Sequence, residues 1–283
     1  MLQIEASGQA CGARVTGIDL RQLTAEMVAD IRQAWLQHHV LVFPDQALTD
    51  PDLVEFTCRF GELGDDPFFE AISEDNPVFA LTRRADEKAP VFAENWHSDW
   101  SFKEHPPIGT CLYSLVVPPV GGDTGFANQQ MAVEQMPAEL RSKLEGKRAL
   151  HSAAVAYAPD GFYGENDGPD RSMKITPNES AREVSTHALI TPHPESGKET
   201  IFSAYGYIIG IEGMEQEEAH RLITELYAWQ TQEAFQYQHK WSENMLVMWD
   251  NRSVLHRAYG GYDGFDRELH RTTIAGSEQY SVH

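Results

Sequence analysis

Apolar positions recur at helical spacing in several stretches of the chain. After Thr24, a residue type that caps helix N-termini, apolar side chains return every three or four positions, so a helix is predicted there. A second helix is predicted after Thr49, with Pro51 in its first turn. Residues 128–147 are also helical in pattern, and a further amphipathic helix is predicted over 215–229.

Short apolar runs bounded by turn residues predict strands. They lie at 40–43, 111–117, 183–190, 201–205, 235–239, 245–249, 253–259 and 267–275. Many short strands with few long helices favour a β-sandwich or barrel over a parallel α/β sheet. A barrel with added helices commonly forms one unit at this length, so a single domain over 1–283 is expected. Residues 157–172, rich in Gly, Pro and Asp, have no apolar period and predict a lid or mobile loop.

The composition narrows the classes of function, because the chain of 283 residues is strongly acidic. It has 43 Asp and Glu residues against 22 Lys and Arg residues, a formal net charge of −21. Binding to nucleic acid is not expected, since phosphate contacts need clustered basic residues. The sequence contains no run of about 18 apolar residues, so no membrane span is predicted. The N-terminus lacks the features of a secretory signal. These observations predict a cytoplasmic protein without nucleic-acid or membrane partners.

The first candidate for chemistry is the segment 95–100, NWHSDW. Residues two apart in an extended chain point to the same side, so His97 and Asp99 can present an imidazole and a carboxylate to one ion. Two histidines and one carboxylate on one face form the site of non-haem Fe(II) oxygenases, and His256 can return across a barrel as the third ligand. The alternative is a surface histidine beside a surface aspartate. Other histidines compete for the third position: His105, His151, His187, His193, His239 and His270.

A pair of arginines in the last predicted strand is the second candidate. Arg267 and Arg271 share one face of that strand, where unpaired guanidinium groups facing inward would be costly. Either acidic side chains neutralise them, or they bind anionic ligands such as carboxylates. Residues 118–124 (PPVGGDT) predict a turn followed by the hydroxyl of Thr124, which alone indicates no more than a turn.

Four stretches carry these residues in a fixed order: NWHSDWSF (95–102), PPVGGDTGFAN (118–128), VMWDNRSVLHRA (247–258) and RELHRTTIAG (267–276). In this order and spacing they resemble the taurine dioxygenase / 2,4-dichlorophenoxyacetate dioxygenase family. The resemblance extends over nearly the whole chain. It implies a mainly β protein with flanking helices around a double-stranded β-helix, or jelly-roll, core. It also implies an enzyme that uses Fe(II), 2-oxoglutarate and O₂, hydroxylates a C–H bond, and releases succinate and CO₂.

The resemblance also implies a role for each matching residue. His97, Asp99 and His256 would hold Fe(II). Arg267 would pair with the distal carboxylate of 2-oxoglutarate, and the hydroxyl of Thr124 would support the same group. Arg271 would bind the anionic group of the prime substrate, a small molecule. Three protein ligands leave three positions of an octahedral ion for the keto acid and O₂.

The substrate pocket departs from the taurine enzyme at two positions. Aligning 60–63 (FGEL) with the corresponding segment of that enzyme places Asp66 and Phe69 where it has a histidine and a tyrosine near the sulfonate. An aspartate repels a sulfonate, so a carboxylate substrate is expected in preference to taurine. Asp66 and Phe69 are therefore predicted to contact the substrate together with Arg271.

Three other interpretations stay open from the sequence. The chain could be a catalytically silent metal-binding or sensor protein on the same fold, or a taurine or alkylsulfonate dioxygenase proper. A zinc hydrolase with the same three ligands would give no reason for Arg267, Arg271 and Thr124 to recur at the family spacing. The sequence leaves open the identity of the substrate and whether the chain forms a homo-oligomer, a dimer or a tetramer.

Overall fold

The computed structural model describes residues 2–164, 167 and 170–279. Six α-helices are present in this part of the chain: α1 (Ala25–His38), α2 (Asp50–Cys58), α3 (Gln129–Glu134), α4 (Ala138–Leu144), α5 (Ala154–Tyr157) and α6 (Gln216–Gln230). The described strands are β1 (Gln3–Ala6), β2 (Ala13–Thr16), β3 (Val40–Phe43), β4 (Phe79–Arg83), β5 (Gly109–Val116), β6 (Thr124–Asn128), β7 (Arg148–His151), β8 (Ser185–Ala188), β9 (Ile190–Pro192), β10 (Glu199–Ile201), β11 (Ile208–Ile211), β12 (Gln236–His239), β13 (Leu246–Asp250), β14 (Val254–Ala258) and β15 (Arg267–Ile274). No helix among the described residues combines the length and apolar character needed to cross a bilayer.

The two N-terminal helices begin where the sequence predicts. The side chain of Thr24 accepts a hydrogen bond from the backbone N–H of Met27 at the start of α1. At α2, Thr49 and Asp52 form a reciprocal capping box, with Pro51 in the first turn. Each cap satisfies backbone N–H groups that would otherwise lack a partner, and both helices pack on the large sheet.

Four sheets form the architecture of the described part of the chain. The large sheet has the order β1-β2-β3-β13-β5-β15-β4, and a three-stranded sheet, β12-β6-β14, packs against it. A second three-stranded sheet, β11-β7-β8, and the β10-β9 pair extend the structure on the side of α3, α4 and α6. Nearly all neighbouring strands are antiparallel, as a jelly roll requires. The predicted mainly β fold with a double-stranded β-helix core is confirmed.

Strand β3 is apolar at every position because both of its faces are covered. Leu41 and Phe43 pack with α1 and α2, whereas Val40 and Val42 face the three-stranded sheet. The neighbouring strand β13 divides its side chains in the same way. The interior between the two sheets therefore holds one apolar cluster, and the polar cavity described below lies beside it.

The sequence prediction was wrong over 201–205. That apolar run predicts a strand, but β10 ends at Ile201 and the following residues, which include Phe202 and Ala204, are buried without a β-ladder. Burial in an irregular segment produces the same apolar pattern as a strand. Strands β4, β6, β7 and β11 were missed, since each is short and partly polar or Gly-containing.

The lid predicted over 157–172 stays a prediction. Residues 165, 166, 168 and 169 lie outside the described residues. Tyr157 ends α5 and is buried in an aromatic cluster. Further along, Arg171 forms an ion pair with Asp167 at 2.7 Å, and its side chain lines the cavity between the sheets.

Candidate active site

The fold brings the separated sequence motifs to one cavity between the large sheet and the β12-β6-β14 sheet. Strand β14 supplies His256, and the segment that precedes β5 supplies His97 and Asp99. Strand β15 supplies Arg267 and Arg271 from the opposite sheet. Together with Thr124, at the start of β6, these residues line a cavity of about 80 Å³.

Backbone hydrogen bonds fix the spacing of the two histidines. The N–H of His97 donates to the carbonyl of His256 at 3.0 Å, and the N–H of His256 donates back to the carbonyl of His97 at 2.8 Å. This isolated antiparallel bridge places the two imidazole centroids 4.1 Å apart. After Asp99 the chain turns sharply, since Trp100 adopts a φ of +46°, which is costly for a residue with a side chain.

The three side chains offer their donor atoms to one point. The Nε2 atoms of His97 and His256 lie 3.8 Å and 3.6 Å from Oδ1 of Asp99, and the potential ligand atoms all lie within 4.8 Å of one another. Nδ1 of His97 is 2.8 Å from the carbonyl oxygen of Asn95. Donation from Nδ1 to that carbonyl leaves Nε2 with a free lone pair, which is the tautomer that a metal ligand needs.

The electrostatics keep His97 and Asp99 in their ligating protonation states. Burial, assisted by the neighbouring His256, lowers the pKa of His97 to about 3. Burial opposes the ionisation of Asp99, but the guanidinium of Arg271 and then His256 outweigh it and hold the pKa of that carboxyl well below its usual range. A neutral imidazole and an ionised carboxylate are the forms that bind a divalent metal.

At one end of the cavity, Arg267 has no carboxylate within 4.0 Å among the described residues. Its Nη2 donates to the carbonyl of Gly122 at 3.3 Å, and its guanidinium lies 5.9 Å from the ring centroid of Tyr262. Gly122 has a φ of +72°, and a Cβ there would lie 3.3 Å from Nε of Arg267, so glycine suits this turn. Burial lowers the pKa of Arg267.

At the other end, Arg271 lies between two carboxylates. Its Nη2 is 3.1 Å from Oδ1 of Asp99 and 3.5 Å from Oδ1 of Asp66. The guanidinium also packs on the rings of Trp100 and Phe69, with centroids 5.3 Å and 6.0 Å away. Asp66 accepts a hydrogen bond from the indole N–H of Trp100. Burial raises the pKa of Asp66, although the charge of Arg271 opposes this.

The structure thus assembles six of the eight predicted site residues on the cavity wall. Asp66 and Phe69, predicted to contact the substrate, lie behind Arg271 and touch its guanidinium. The wall carries further arginines from distant parts of the chain: Arg83, Arg171 and Arg257. The five arginines of the wall outnumber its two carboxylates, Asp99 and Glu87, so the lining carries an excess of positive charge in a chain of net charge −21, which favours small anions.

Comparison with known proteins identifies the family. Residues 3–273 match the family described as Taurine catabolism dioxygenase TauD, TfdA family. The chain belongs to this family. As a TauD/TfdA family protein it is a dioxygenase that depends on 2-oxoglutarate (alpha-ketoglutarate) and on a metal.

Two curated relatives of the TauD/TfdA family are each 33% identical to this chain. The (S)-phenoxypropionate/alpha-ketoglutarate-dioxygenase of Sphingobium herbicidovorans matches over 264 residues, 87% of this chain and 85% of that protein. The alpha-ketoglutarate-dependent 2,4-dichlorophenoxyacetate dioxygenase of Cupriavidus pinatubonensis matches over 279 residues, 92% of this chain and 93% of that protein.

Two solved structures have the same fold. A taurine dioxygenase from Burkholderia xenovorans superposes with a TM-score of 0.79 at 28% identity, covering 98% of this chain and 90% of that chain. The enzyme AAD-2, solved in complex with Mn(II) and N-oxalylglycine, superposes with a TM-score of 0.77 at 27% identity and covers 99% of both chains.

Several residues in or directly behind the cavity wall of this TauD/TfdA family member escaped the sequence analysis. Thr110 and Asn251 contact each other, and Thr110 also contacts Asp99. Asn251 lies within the motif 247–258, so the motif was a signal that could have found it. Thr110 and Tyr262 carry no local signal, because only the tertiary fold brings Tyr262 to the cavity wall and Thr110 to the carboxylate of Asp99.

Proposed function

We propose that this protein is an Fe(II)- and 2-oxoglutarate-dependent oxygenase that hydroxylates a C–H bond of a small organic anion, a carboxylate rather than taurine. The observation that supports this proposal most is one cavity that contains both a His-Asp-His group and a partly buried arginine, Arg267, without a carboxylate within ion-pair distance among the described residues. The first suits a divalent metal and the second suits a dicarboxylate.

His97, Asp99 and His256 would hold the iron through Nε2, Oδ1 and Nε2. Bound there, iron would supply the redox chemistry that couples O₂ to the decarboxylation of 2-oxoglutarate. The overall reaction balances with one oxygen atom of O₂ in the hydroxylated product and the other in succinate, while CO₂ leaves. The protein's own share is to orient both organic molecules and to limit the access of water.

The distal carboxylate of 2-oxoglutarate would bind at Arg267 and Thr124. Oγ1 of Thr124 accepts a hydrogen bond from the indole N–H of Trp241 at 3.0 Å, which leaves the hydroxyl proton free to be donated to a carboxylate. Arg267 would then gain the anionic partner that the described residues do not provide. AAD-2 has the same fold and was solved with N-oxalylglycine, a diacid, which supports the binding of a dicarboxylate by this fold.

The anionic group of the prime substrate would bind at Arg271. Its buried Nη2 has no well-aligned hydrogen bond among the described residues, despite the two nearby carboxylates. Asp66 lies 3.5 Å from the same Nη2 and offsets part of its charge, which weakens the attraction of Arg271 for an anion. The two phenoxy acid dioxygenases among the relatives support a carboxylate as the anchored group.

A second pocket suggests an apolar body for this substrate. It has a volume of about 390 Å³ and adjoins the first cavity at His97. Its wall is largely apolar and includes the aromatic side chains of Phe92, Tyr157, Tyr163 and Tyr207. A carboxylate held at Arg271 could extend an apolar group along this wall, where burial of apolar surface is favourable.

A substrate panel scored by succinate release tests the proposal. The panel should contain taurine and other sulfonates, alkyl and aryloxy carboxylates, and amino acids, each with Fe(II), O₂ and equal 2-oxoglutarate. We expect a carboxylate with an apolar body to give the highest kcat/KM. Taurine as the best substrate would refute the assignment of substrate class.

The same panel separates the other classes of function. A silent metal-binding or sensor protein would bind Fe(II) but release no succinate in response to any member. A zinc hydrolase would turn over without 2-oxoglutarate. Either result would overturn the proposed oxygenase.

A further inference from the structure

The two carboxylate oxygens of Asp99 have different surroundings. Oδ1 is the oxygen nearest to the Nε2 atoms of His97 and His256. Oδ2 instead accepts a hydrogen bond from the hydroxyl of Thr110 at 2.6 Å. The carboxylate therefore has one oxygen on the metal side and one oxygen held by the protein.

Thr110 is itself the middle of a chain of hydrogen bonds. The indole N–H of Trp249 donates to Oδ1 of Asn251 at 2.9 Å, and Nδ2 of Asn251 donates to Oγ1 of Thr110 at 3.0 Å. An indole N–H can only donate, so the amide of Asn251 must turn its oxygen to Trp249 and its NH₂ to Thr110. Thr110 then accepts from Asn251, and its single proton is committed to Asp99.

The surroundings of these hydrogen bonds hold the participating side chains in place. Thr110, Trp249, Asn251 and Asp99 are all buried. Thr110 and Trp249 are paired residues on the adjacent strands β5 and β13, and the backbone carbonyl of Asn251 accepts a further hydrogen bond from Ser98 at 2.7 Å. Hydrogen bonds aligned in one direction reinforce one another where water is excluded.

A competing partner makes such support necessary. Nη2 of Arg271 lies 3.1 Å from Oδ1 of Asp99, the oxygen that faces the histidines. Without a bond to Oδ2, the carboxylate could rotate and offer both oxygens to the guanidinium. An Asp99 turned in that way would present a poorer ligand to the metal.

We propose that Thr110 and Asn251 are positioning residues for the metal centre, which orient Asp99 so that Oδ1 is available to the ion. The inference rests on the proposed function, because it takes Asp99 as a ligand. Residues that orient a metal ligand typically account for about 10- to 100-fold in metal affinity.

The test is metal affinity, measured without turnover. Fe(II), under anaerobic conditions, and Co(II) are titrated by calorimetry into the wild type, Thr110→Val, Thr110→Ser and Thr200→Val. Thr200 is the matched control, since it is equally buried and its hydroxyl donates to the carbonyl of Arg252 at 2.9 Å, away from the cavity. The visible spectrum of the Co(II) protein reports the geometry of its ligands.

We expect Thr110→Val to weaken metal binding by about 10- to 100-fold and to change the Co(II) spectrum at saturation. Thr110→Ser, which keeps the hydroxyl, should restore affinity and spectrum, and Thr200→Val should retain both even if it lowers the thermal stability. If Thr110→Val does not fold, Asn251→Ala gives a second test, with a smaller weakening expected because the bond from Thr110 to Asp99 remains.

Two results would contradict the inference, and they have different consequences for the proposed metal centre. Wild-type affinity and spectrum in Thr110→Val, or in Asn251→Ala as its replacement, would show that Asp99 needs no such support, while the proposed metal centre would stand. Failure of the wild type to bind Fe(II) or Co(II) would overturn the metal centre and this inference together.

Discussion

The two ends of the cavity contain the same residue type in opposite electrostatic settings. Arg267 and Arg271 are four residues apart on β15 and line the same cavity. Arg267 has a backbone carbonyl and an aromatic ring as neighbours, whereas Arg271 lies within 4 Å of both Asp66 and Asp99. A ligand at Arg267 therefore meets a guanidinium with no carboxylate within 4.0 Å among the described residues and only the more distant charge of Asp123, while a ligand at Arg271 shares the charge with two carboxylates.

This difference indicates that charge contributes more to the binding of a ligand at Arg267 than to the binding of a ligand at Arg271. A partly buried guanidinium without a nearby anion is costly, so binding of a dicarboxylate at Arg267 would remove a penalty that the folded protein carries. At Arg271 the penalty is already reduced, and shape and apolar contacts must contribute more of the selectivity. We expect one end to be specific for a fixed cosubstrate and the other to be adjustable.

The largest effect should come from the metal centre that both ends share. His97→Ala, Asp99→Ala and His256→Ala should each abolish succinate release while the protein stays folded, because each would remove one of the three proposed ligands. Activity with added Fe(II) and circular dichroism are the measurements. The control is His220→Ala, an exposed histidine on α6. Turnover like that of the wild type in any variant would remove that residue from the ligand set.

The next effect tests the end without a carboxylate. Arg267→Ala should raise the apparent KM for 2-oxoglutarate, since losing one partner of a desolvated charge pair costs about 2–5 kcal/mol, or roughly 30- to several-thousand-fold. Steady-state kinetics with varied 2-oxoglutarate gives the value. Arg221→Ala, on the exposed face of α6, is the control. An unchanged KM would place the distal carboxylate elsewhere.

Substitution of Arg271, whose charge is partly compensated by two carboxylates, should have a smaller effect than substitution of Arg267. Arg271→Ala is expected to raise KM for the prime substrate by roughly 30-fold, the low end of the same range, because Asp66 and Asp99 already share its charge. KM for 2-oxoglutarate should change little. If the variant instead impaired only 2-oxoglutarate, the roles of the two arginines would have to be exchanged.

The smallest effect concerns the carboxylate behind Arg271. Two unit charges about 8 Å apart repel by roughly 2 kcal/mol at an effective dielectric of 20. The charge of Arg271, next to both Asp66 and the proposed anion, reduces this repulsion. We therefore expect Asp66→Asn to raise kcat/KM for taurine by less than the full ~2 kcal/mol would give, about tenfold. The matched control is Asp65→Asn, a neighbouring carboxylate that pairs with Lys103 at 2.7 Å. An equal change in both variants would show that Asp66 has no special role in selectivity.

The periodicity of the sequence predicted those helices and strands that are determined by residues close together in the sequence. Thr24 and Thr49 cap their helices as expected, and the all-apolar β3 is a strand covered on both faces. Motif order predicted which residues meet at the cavity. The pairing of Asp66 with Arg271 could not be predicted, since it joins residues 205 positions apart by tertiary packing alone. The hydrogen bond from Thr110 to Asp99 depends in the same way on where the segment before β5 folds back.

The backbone bridge between His97 and His256 has a consequence for the synthesis of the protein. The two residues are 159 positions apart, so their pairing requires that most of the chain has been made and that β14 has joined its sheet. Contacts between such distant residues form late, because the intervening chain must first be ordered. A nascent or truncated chain that lacks β14 retains only the pair His97 and Asp99. Iron would then be captured only by the finished fold, where the same closure that creates the site also shields it from solvent.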